Sequence, residues 1–518
     1  MTNKSTEDIK RILIRGVNWI GDAVLTIPAI SAVRHEFPDA HISLLVKPWV
    51  ADIFRENRDI DEIILYDKKY DSLIGKFRLA KELRQKGFDK AILLQNAFDA
   101  ALITWLAKIP ERIGYARDAR GFLLTKSIIV EKESLKKHQV HYYLDLLNKA
   151  GIDAPFTHPY IYLTDKERRW ARSLINSSPF QIQNSPIVGI NPGAAYGSAK
   201  RWMPESFAEV IKRIIDELNG RVIIFGGPSE AEIAYEIASL CPDHSKDIMI
   251  MAGKTDIRQL ASLISECDAF ITNDSGPMHM ASALLVPTVA IFGSTDSTAT
   301  GPFGEGHKII SSNLPCAPCL ERECPEGHLK CMTGITGDDV FNALMEILPK
   351  ERAVFLDKDG TLIEDKNYLN SFDNLIILPN IREGLKRLKD AGFKLIGITN
   401  QSGIARGIVD EKFLMESNAF LQKELGIDDF FYCPHHPDEG CDCRKPEPLM
   451  LFKARLKHRI NLKTSFMIGD KELDVLLSNK TGVTGILLAK EAPQITVASY
   501  VAADINKAAD WILKEEKK

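Results

Sequence analysis

Short apolar runs, many of them closed by glycine, aspartate or asparagine, recur along the chain and are separated by stretches with helical apolar spacing. "RILIRGV" (11–17), "HISLLVK" (41–47), "EIILYD" (62–67) and "KAILLQ" (90–95) open the series. Runs that are apolar at successive positions suit strands buried on both faces, which requires a parallel sheet covered by helices. "AVLTIPAISAVRHEF" (23–37) has the spacing of such a covering helix. A polar zone around 151–185, including "LINSSPFQIQNSP", interrupts the rhythm. It restarts with "PIVGINPG", "RVIIFGG", "IMIMAG", "AFITND" and "PTVAIFG", and again at 353 with "AVFLDKDGT", "KLIGITN", "SFMIGD" and "GILLA". At 518 residues the chain is too long for one core. The pattern predicts an α/β protein with two Rossmann-like domains facing a cleft, over 1–175 and 176–349, and a third α/β domain over 350–518. "DDVFNALMEILPKER" (338–352) is read as a helix and then a hinge. Ligands of such sheets sit at the carboxyl ends of the strands.

Hydrophobic residues make up 45% of the chain and charged residues 26%, the balance of a soluble globular protein. A net charge of −4 gives no general attraction to nucleic acid, which is excluded as a partner. There is no basic-then-apolar leader and no run of about 18 apolar residues, the length needed to span a bilayer. Nine cysteines, an odd number gathered mostly in two clusters, suit a reducing compartment better than a disulfide framework. The expected location is the cytoplasm.

In the last third, Asp357 and Asp359 end the strand of "FLDKDGT", Thr399 and Asn400 end "LIGITN", and Asp470 ends "FMIGD". Lys445, in "CRKPEP", must be brought in by a loop. This order of residues resembles the four motifs of the haloacid dehalogenase superfamily of phosphatases, across essentially all of 353–518. The resemblance implies that Asp357 attacks phosphorus to give an aspartyl-phosphate, and that Asp359 protonates the leaving oxygen and later activates water. It implies Mg²⁺ bound by Asp357, the Asp359 carbonyl and Asp470, with Thr399, Asn400 and Lys445 on the phosphate oxygens.

Just ahead of Lys445, Cys433 and His435 form C-x-H, and Cys441 and Cys443 form C-x-C. Three thiolates and one imidazole suit tetrahedral Zn²⁺ in a closed structural site, which would fix Arg444 and Lys445 over the substrate. His436 is the rival imidazole, but the C-x-H spacing favours His435. "TNQSGIARG", "YCPHHP", "CDCRKP" and "GDKELD" are similar to the D-glycero-D-manno-heptose 1,7-bisphosphate 7-phosphatases, with Arg406 available for a second phosphate. Histidinol-phosphate phosphatases share the zinc loop and stay open as the alternative.

Four motifs carry a second resemblance: "NWIGDAVLTIPA" (18–29), "LLQNAFDAAL" (93–102), "NPGAAYGSAKRW" (191–202) and "TNDSGPMHMASAL" (272–284). Residues 11–349 resemble glycosyltransferase family 9, the ADP-heptose:lipopolysaccharide heptosyltransferases, of GT-B fold. Alone, Asp22 would be read as a helix N-cap; the resemblance makes it the general base of a metal-independent inverting transfer. Lys200 is the candidate for stabilising the leaving diphosphate, with Arg201 beside it. Asp274, Ser275, Gly276 and His279 fall to the donor site, where helix N-terminal amides can face pyrophosphate. "IIFGGPSEAE" (223–232) is a candidate nucleotide segment without an assigned glutamate. The implied partners are ADP-heptose, heptose 1,7-bisphosphate and a lipid A acceptor bearing Kdo or heptose, met peripherally at the inner membrane because no amphipathic anchor is evident. Arg112, Arg117 and Arg120 are candidates for its anionic groups, or else form a solvated basic loop. Cys316, Cys319, Cys324 and Cys331 include a metal-like C-x-x-C, but their remaining spacing is irregular, and no metal is assigned to them. Both halves point to lipopolysaccharide core synthesis, at steps that are not consecutive. The rivals are another sugar transferase fused to a histidinol-phosphate-type phosphatase, and a non-catalytic transferase scaffold.

Overall fold

The computed structural model describes residues 9–177, 185–491 and 493–515. The chain divides into two compact units, Met1–Ile347 and Leu348–Lys518. In the first unit, β1 (Arg11–Arg15), β2 (His41–Val46), β3 (Glu62–Leu65), β4 (Lys90–Leu93), β5 (Glu111–Tyr115) and β6 (Lys126–Ile128) lie in the order β3-β2-β1-β4-β5-β6. A second sheet of the same unit holds β7 (Ile187–Asn191), β8 (Arg221–Ile224), β9 (Ile248–Ile250), β10 (Ala269–Asn273), β11 (Thr288–Phe292) and β12 (Lys308–Ser311), ordered β12-β11-β10-β7-β8-β9. The second unit carries β13 (Ala353–Leu356), β14 (Lys394–Asn400), β15 (Asp429–Cys433), β16 (Phe466–Gly469), β17 (Thr484–Leu488) and β18 (Tyr500–Ala502), ordered β15-β14-β13-β16-β17-β18.

All these pairings are parallel. The rhythm that restarts twice in the sequence therefore builds one topology three times. In each sheet the strand order reverses next to the first strand, between β1 and β4, β7 and β10, and β13 and β16. A crevice opens at the carboxyl ends of the strands at such a point. Every motif singled out above for chemistry at a strand end follows one of these strands or its neighbour.

The covering helix begins earlier than its apolar spacing indicates, at Ile20, and runs to Glu36. Residues Ala23 to Ile30 are all buried, so it is a buried helix and not a one-faced one. The reason is tertiary: it packs on the first sheet and also on helix Gly276–Ala283 of the second. One hydrophobic core thus runs through both sheets of the first unit, joining Ile12, Ile14 and Val24 to Met280 and Leu284. A separate core around Val354, Leu395 and Ile468 fills the second unit. The division expected at 175/176 falls within helix Asp165–Ser177, which packs on helix Ile257–Ser265 through the Glu167–Arg258 ion pair at 2.7 Å. Residues 178–184 of the polar zone lie outside the described residues.

Candidate active sites

In the first unit, Trp19 is the N-cap of helix Ile20–Glu36 and Asp22 stands inside its first turn, so Asp22 is not the cap. Burial and the negative charge of Asp274 push the Asp22 carboxyl up to about 6, against the opposing pull of Lys200. Lys200 follows β7, and its Nζ lies 2.5 Å from Asp274 Oδ2 beyond β10, with side chains only 13% and 7% exposed. Thr295 Oγ1 donates to the same carboxylate oxygen at 2.7 Å. Fully buried Trp202 pins the lysine loop: its backbone N–H donates to Asn273 Oδ1 at 3.1 Å and its indole N–H to the Ile335 carbonyl at 3.0 Å.

Ser275 Oγ lies 3.0 Å from Thr272 Oγ1 and accepts from Asn191 Nδ2 at 3.3 Å; Gly276 opens the helix that follows. That helix meets the Asp22 turn closely. A Cβ on Gly21 would lie 2.6 Å from His279 Cδ2, so only glycine fits there. His279 is buried, its Nδ1 lacks a partner, and burial lowers its pKa to about 4. Glu230, left open by the sequence, accepts from Gly227 N–H at 2.8 Å and fills the space over Gly193, where a Cβ would overlap its carboxylate.

In the second unit, Lys445 Nζ lies 2.6 Å from Asp357 Oδ1 and 2.6 Å from Asp474 Oδ1, and donates to the Ile398 carbonyl at 2.9 Å. Burial opposes this charge, yet the two carboxylates hold the Lys445 proton above its usual range. Asp357, Asp470 and Asp474 present oxygens all within 4.8 Å of one another. Asp470 Oδ1 is buried without a partner, and burial together with the Asp357 charge pushes its carboxyl up to about 6. Gly360, at φ +90°, leaves room for that carboxylate, since a Cβ would sit 2.3 Å from Asp470 Oδ2. An orphaned acidic oxygen near two more carboxylates can contribute to the oxygen donor set of a hard divalent cation. Asp359 is turned toward β14: Gln401 Nε2 donates to its Oδ2 at 2.8 Å, and Thr399 Oγ1 at 3.4 Å. Burial, and then the Asp357 charge, raise its pKa, while Lys358 works against them.

Beside this site, Cys433 Sγ is 3.3 Å from Cys441 Sγ and 3.6 Å from His435 Nδ1. Cys443 Sγ is 3.1 Å from His435 Nδ1 and 3.6 Å from Cys441 Sγ. The edges of a tetrahedron around a metal with sulfur bonds of about 2.3 Å are close to these separations. This group can hold a metal ion. His436, the rival imidazole, instead accepts from Asp438 N–H with its Nδ1 at 3.3 Å.

The family model for glycosyltransferase family 9 (heptosyltransferase) matches residues 76–330, and that for HAD-hydrolase-like proteins matches residues 442–508. Lipopolysaccharide heptosyltransferase 2 of Escherichia coli (strain K12) is 30% identical over 353 residues, covering 66% of this chain and 100% of that protein. The chain belongs to glycosyltransferase family 9. The solved structure of E. coli ADP-heptose LPS heptosyltransferase II aligns with it at a TM-score of 0.57 and 27% identity, over 65% of this chain and 98% of that one. D-glycero-beta-D-manno-heptose-1,7-bisphosphate 7-phosphatase of Helicobacter pylori (strain J99) is 38% identical over 173 residues, 32% of this chain and 99% of that protein. The family 9 unit is thus fused to a phosphatase of the haloacid dehalogenase type.

The transferase unit gathers Asp22, Lys200 and Asp274 at one crevice, with Ser275, Gly276 and His279 beside them. Arg201 turns away and donates to the Ala194 carbonyl at 3.3 Å. Two of the three arginines considered for the acceptor are engaged internally. Buried Arg120 donates to the Tyr115 carbonyl at 3.0 Å, Asn96 Oδ1 at 3.3 Å and the Gln95 carbonyl, and Arg112 donates to the Leu123 carbonyl at 2.7 Å. Arg117 is exposed.

In the phosphatase unit Asn400 clasps the Lys445 backbone, accepting its N–H at 2.9 Å. Arg444 keeps a buried Nη1 without a partner, and Arg406 is exposed on the turn after β14. Sequence reasoning missed Asp474 and Gln401. Their only signals were an acid four residues after Asp470 and an amide two residues after Thr399. Among the described residues, no group gathered like the 433–443 ligands includes Cys316, Cys319, Cys324 or Cys331.

Proposed function

We propose that this chain carries out two reactions of lipopolysaccharide core synthesis. Its transferase unit moves heptose from ADP-L-glycero-D-manno-heptose to a lipid A acceptor bearing Kdo or heptose. Its phosphatase unit removes the 7-phosphate of D-glycero-D-manno-heptose 1,7-bisphosphate. We assign 1–175 to the acceptor side, 176–349 to the donor side and 350–518 to the phosphatase. The observation that carries the transferase reading is the meeting of Asp22 with the Lys200–Asp274 pair across the two sheets. Asp22, with its raised basicity, takes the proton of the acceptor hydroxyl as that oxygen attacks the anomeric carbon. Lys200 exchanges its contact with Asp274 for the diphosphate and stabilises the charge left on the departing ADP. Glu230 and the amides at Gly276 line the donor side.

The phosphatase reading rests on the Asp357–Lys445–Asp474 arrangement beside Asp470. Asp357 is the nucleophile, and Lys445 offsets the phosphate charge as it approaches. Asp359, its pKa raised by burial and its carboxyl oriented by Gln401, donates a proton to the leaving 7-oxygen and then takes one from water. Mg²⁺ held by Asp357, Asp470 and the Asp359 carbonyl would neutralise further phosphate charge. Cys433, His435, Cys441 and Cys443 would hold Zn²⁺, which would serve structure because four protein ligands would fill its tetrahedral positions. The acceptor is reached at the cytoplasmic face of the inner membrane by peripheral contact. Among the described residues no helix is long and apolar enough to cross a membrane. Phosphate release from heptose 1,7-bisphosphate and from histidinol phosphate, measured side by side, tests the phosphatase assignment; faster release from histidinol phosphate would refute it.

A further inference from the structure

The carboxyl edge of the first sheet carries apolar side chains that no core accounts for. Trp19 follows β1, Trp49 follows β2, Ile74 and Phe77 follow β3, Phe98 follows β4 and Phe122 follows β5. Ile74 is 76% exposed, Phe122 77%, Trp19 60% and Phe77 59%. They line one edge of the sheet. The Phe98 and Phe122 rings lie 6.3 Å apart, Lys76 Nζ reaches Asp99 Oδ2 at 3.7 Å, and Trp49 Nε1 donates to the Asn18 carbonyl at 2.9 Å. In helix Leu73–Lys86 the buried side, Leu79, Ala80 and Leu83, already supplies the packing, so Ile74 and Phe77 are surplus to it. Single exposed apolar residues are ordinary, but six along one sheet edge mark a binding surface.

The charges along this rim are unbalanced toward the positive. Asp67 is offset by Lys69 at 3.6 Å, Asp71 by Lys47 at 2.8 Å and Asp99 by Lys76. Lys68, Arg78 and Arg117 are also exposed there, against Asp118. Aromatic and aliphatic tips set among cations are the composition of a surface that lies in a lipid interface.

We propose that this rim docks on an anionic phospholipid surface. The docking places the crevice of Asp22, on the same sheet edge, beside a lipid-borne acceptor; that consequence rests on the transferase reading above, while the docking itself does not. The surface lies in loops and first helical turns after five strands, which explains why no amphipathic stretch is visible in the sequence.

The test is co-sedimentation of the full chain with phosphatidylcholine vesicles and with vesicles containing roughly a third phosphatidylglycerol. The wild type should pellet with the anionic vesicles, and less so at high salt. Ile74→Glu/Phe77→Glu should bind roughly tenfold more weakly or worse, because two apolar burials are lost. Its phosphatase turnover and its heptose transfer to a soluble, delipidated core acceptor should be unchanged. Equal pelleting of wild type and variant, or no pelleting of the wild type, would overturn the docking. Self-association of the wild type that the variant abolishes, without vesicle binding, would assign the rim to a second copy and overturn it too. Vesicle binding by a wild type that transfers no heptose to the soluble acceptor would sink the transferase reading and leave the docking standing.

Discussion

A carboxyl group held up at about 6, as Asp22 is, gains basicity and loses stability together. Its folded pKa lies above the ordinary 3.8, so its contribution to stability is complete below about 4 and is lost as pH rises through about 6. At neutral pH the ionised group therefore opposes folding, by up to about 3 kcal/mol. Asp22→Asn should raise the melting temperature of the transferase unit and lower transfer by roughly 10²–10⁴, the value of a lost general base. Donor affinity, read by calorimetry, should stay similar. In the wild type, transfer kcat/KM should climb as pH rises through about 6, because the base must be ionised in the free enzyme. A flat profile across that range, or near-normal transfer by Asp22→Asn, would place the base elsewhere. Lys200 differs in kind on the proposed reading, which has it meet the diphosphate both before and during departure. Lys200→Ala should weaken donor binding and rate alike, and the pair of measurements separates the two residues.

Among the elements, the loop between β15 and the helix Leu449–His458 has the most to hold in place with the least core. Cys433 ends β15, its carbonyl accepts Gln401 N–H at 2.7 Å, and the Pro434 carbonyl accepts Ala405 N–H at 3.2 Å. Lys445 lies two residues past Cys443, so one cysteine–histidine cluster supports the residue that meets Asp357 and the turn that orients Asp359. Cys441→Ser should reduce zinc, measured by elemental analysis, from about one per chain, lower the melting temperature of the phosphatase unit and slow phosphate release. Zinc-free protein with full stability and turnover would refute the structural role.

The gathering of Cys433, His435, Cys441 and Cys443 was legible in the sequence because soft side chains at short spacing have few other uses, and the sheets were legible because strands buried on both faces must be apolar at every position. The Lys445–Asp474 pair was not, because a lysine delivered by a loop carries no period that points to its partner. Arg120 misled for a related reason: a basic run looks the same whether its guanidinium groups face solvent or, as here, close on the Gln95 and Tyr115 carbonyls. The all-round burial of helix Ile20–Glu36 comes from the second sheet's helix lying against it, a contact between segments some 250 residues apart that local spacing cannot encode.

At the scale of the whole molecule, one topology occurs three times, but the cores do not divide evenly among the copies. The first two sheets share a continuous core through helices Ile20–Glu36 and Gly276–Ala283, and the Asp22 site exists only where those helices meet. Cutting between them would expose Met280, Leu284 and the buried face of the first helix, and would part Asp22 from Lys200. The phosphatase unit has its own core, and Asp357, Asp359, Thr399, Lys445, Asp470 and Asp474 all lie within Leu348–Lys518. The two activities should therefore separate at the 347/348 boundary and nowhere inside the first unit. A chain of residues 350–518 should hydrolyse heptose 1,7-bisphosphate with a kcat comparable to that of the full chain. In it, as in the full chain, Asp357→Asn should abolish turnover while substrate still binds, because an amide is a poor nucleophile. In the full chain, Asp357→Asn should leave heptose transfer intact, and Asp22→Asn should leave phosphate release intact. The measurement is both rates on each of the three proteins. Loss of transfer in the Asp357→Asn chain would show that the units work as one enzyme, and a 350–518 fragment that folds but releases no phosphate would show that the phosphatase site is incomplete without residues from the transferase unit.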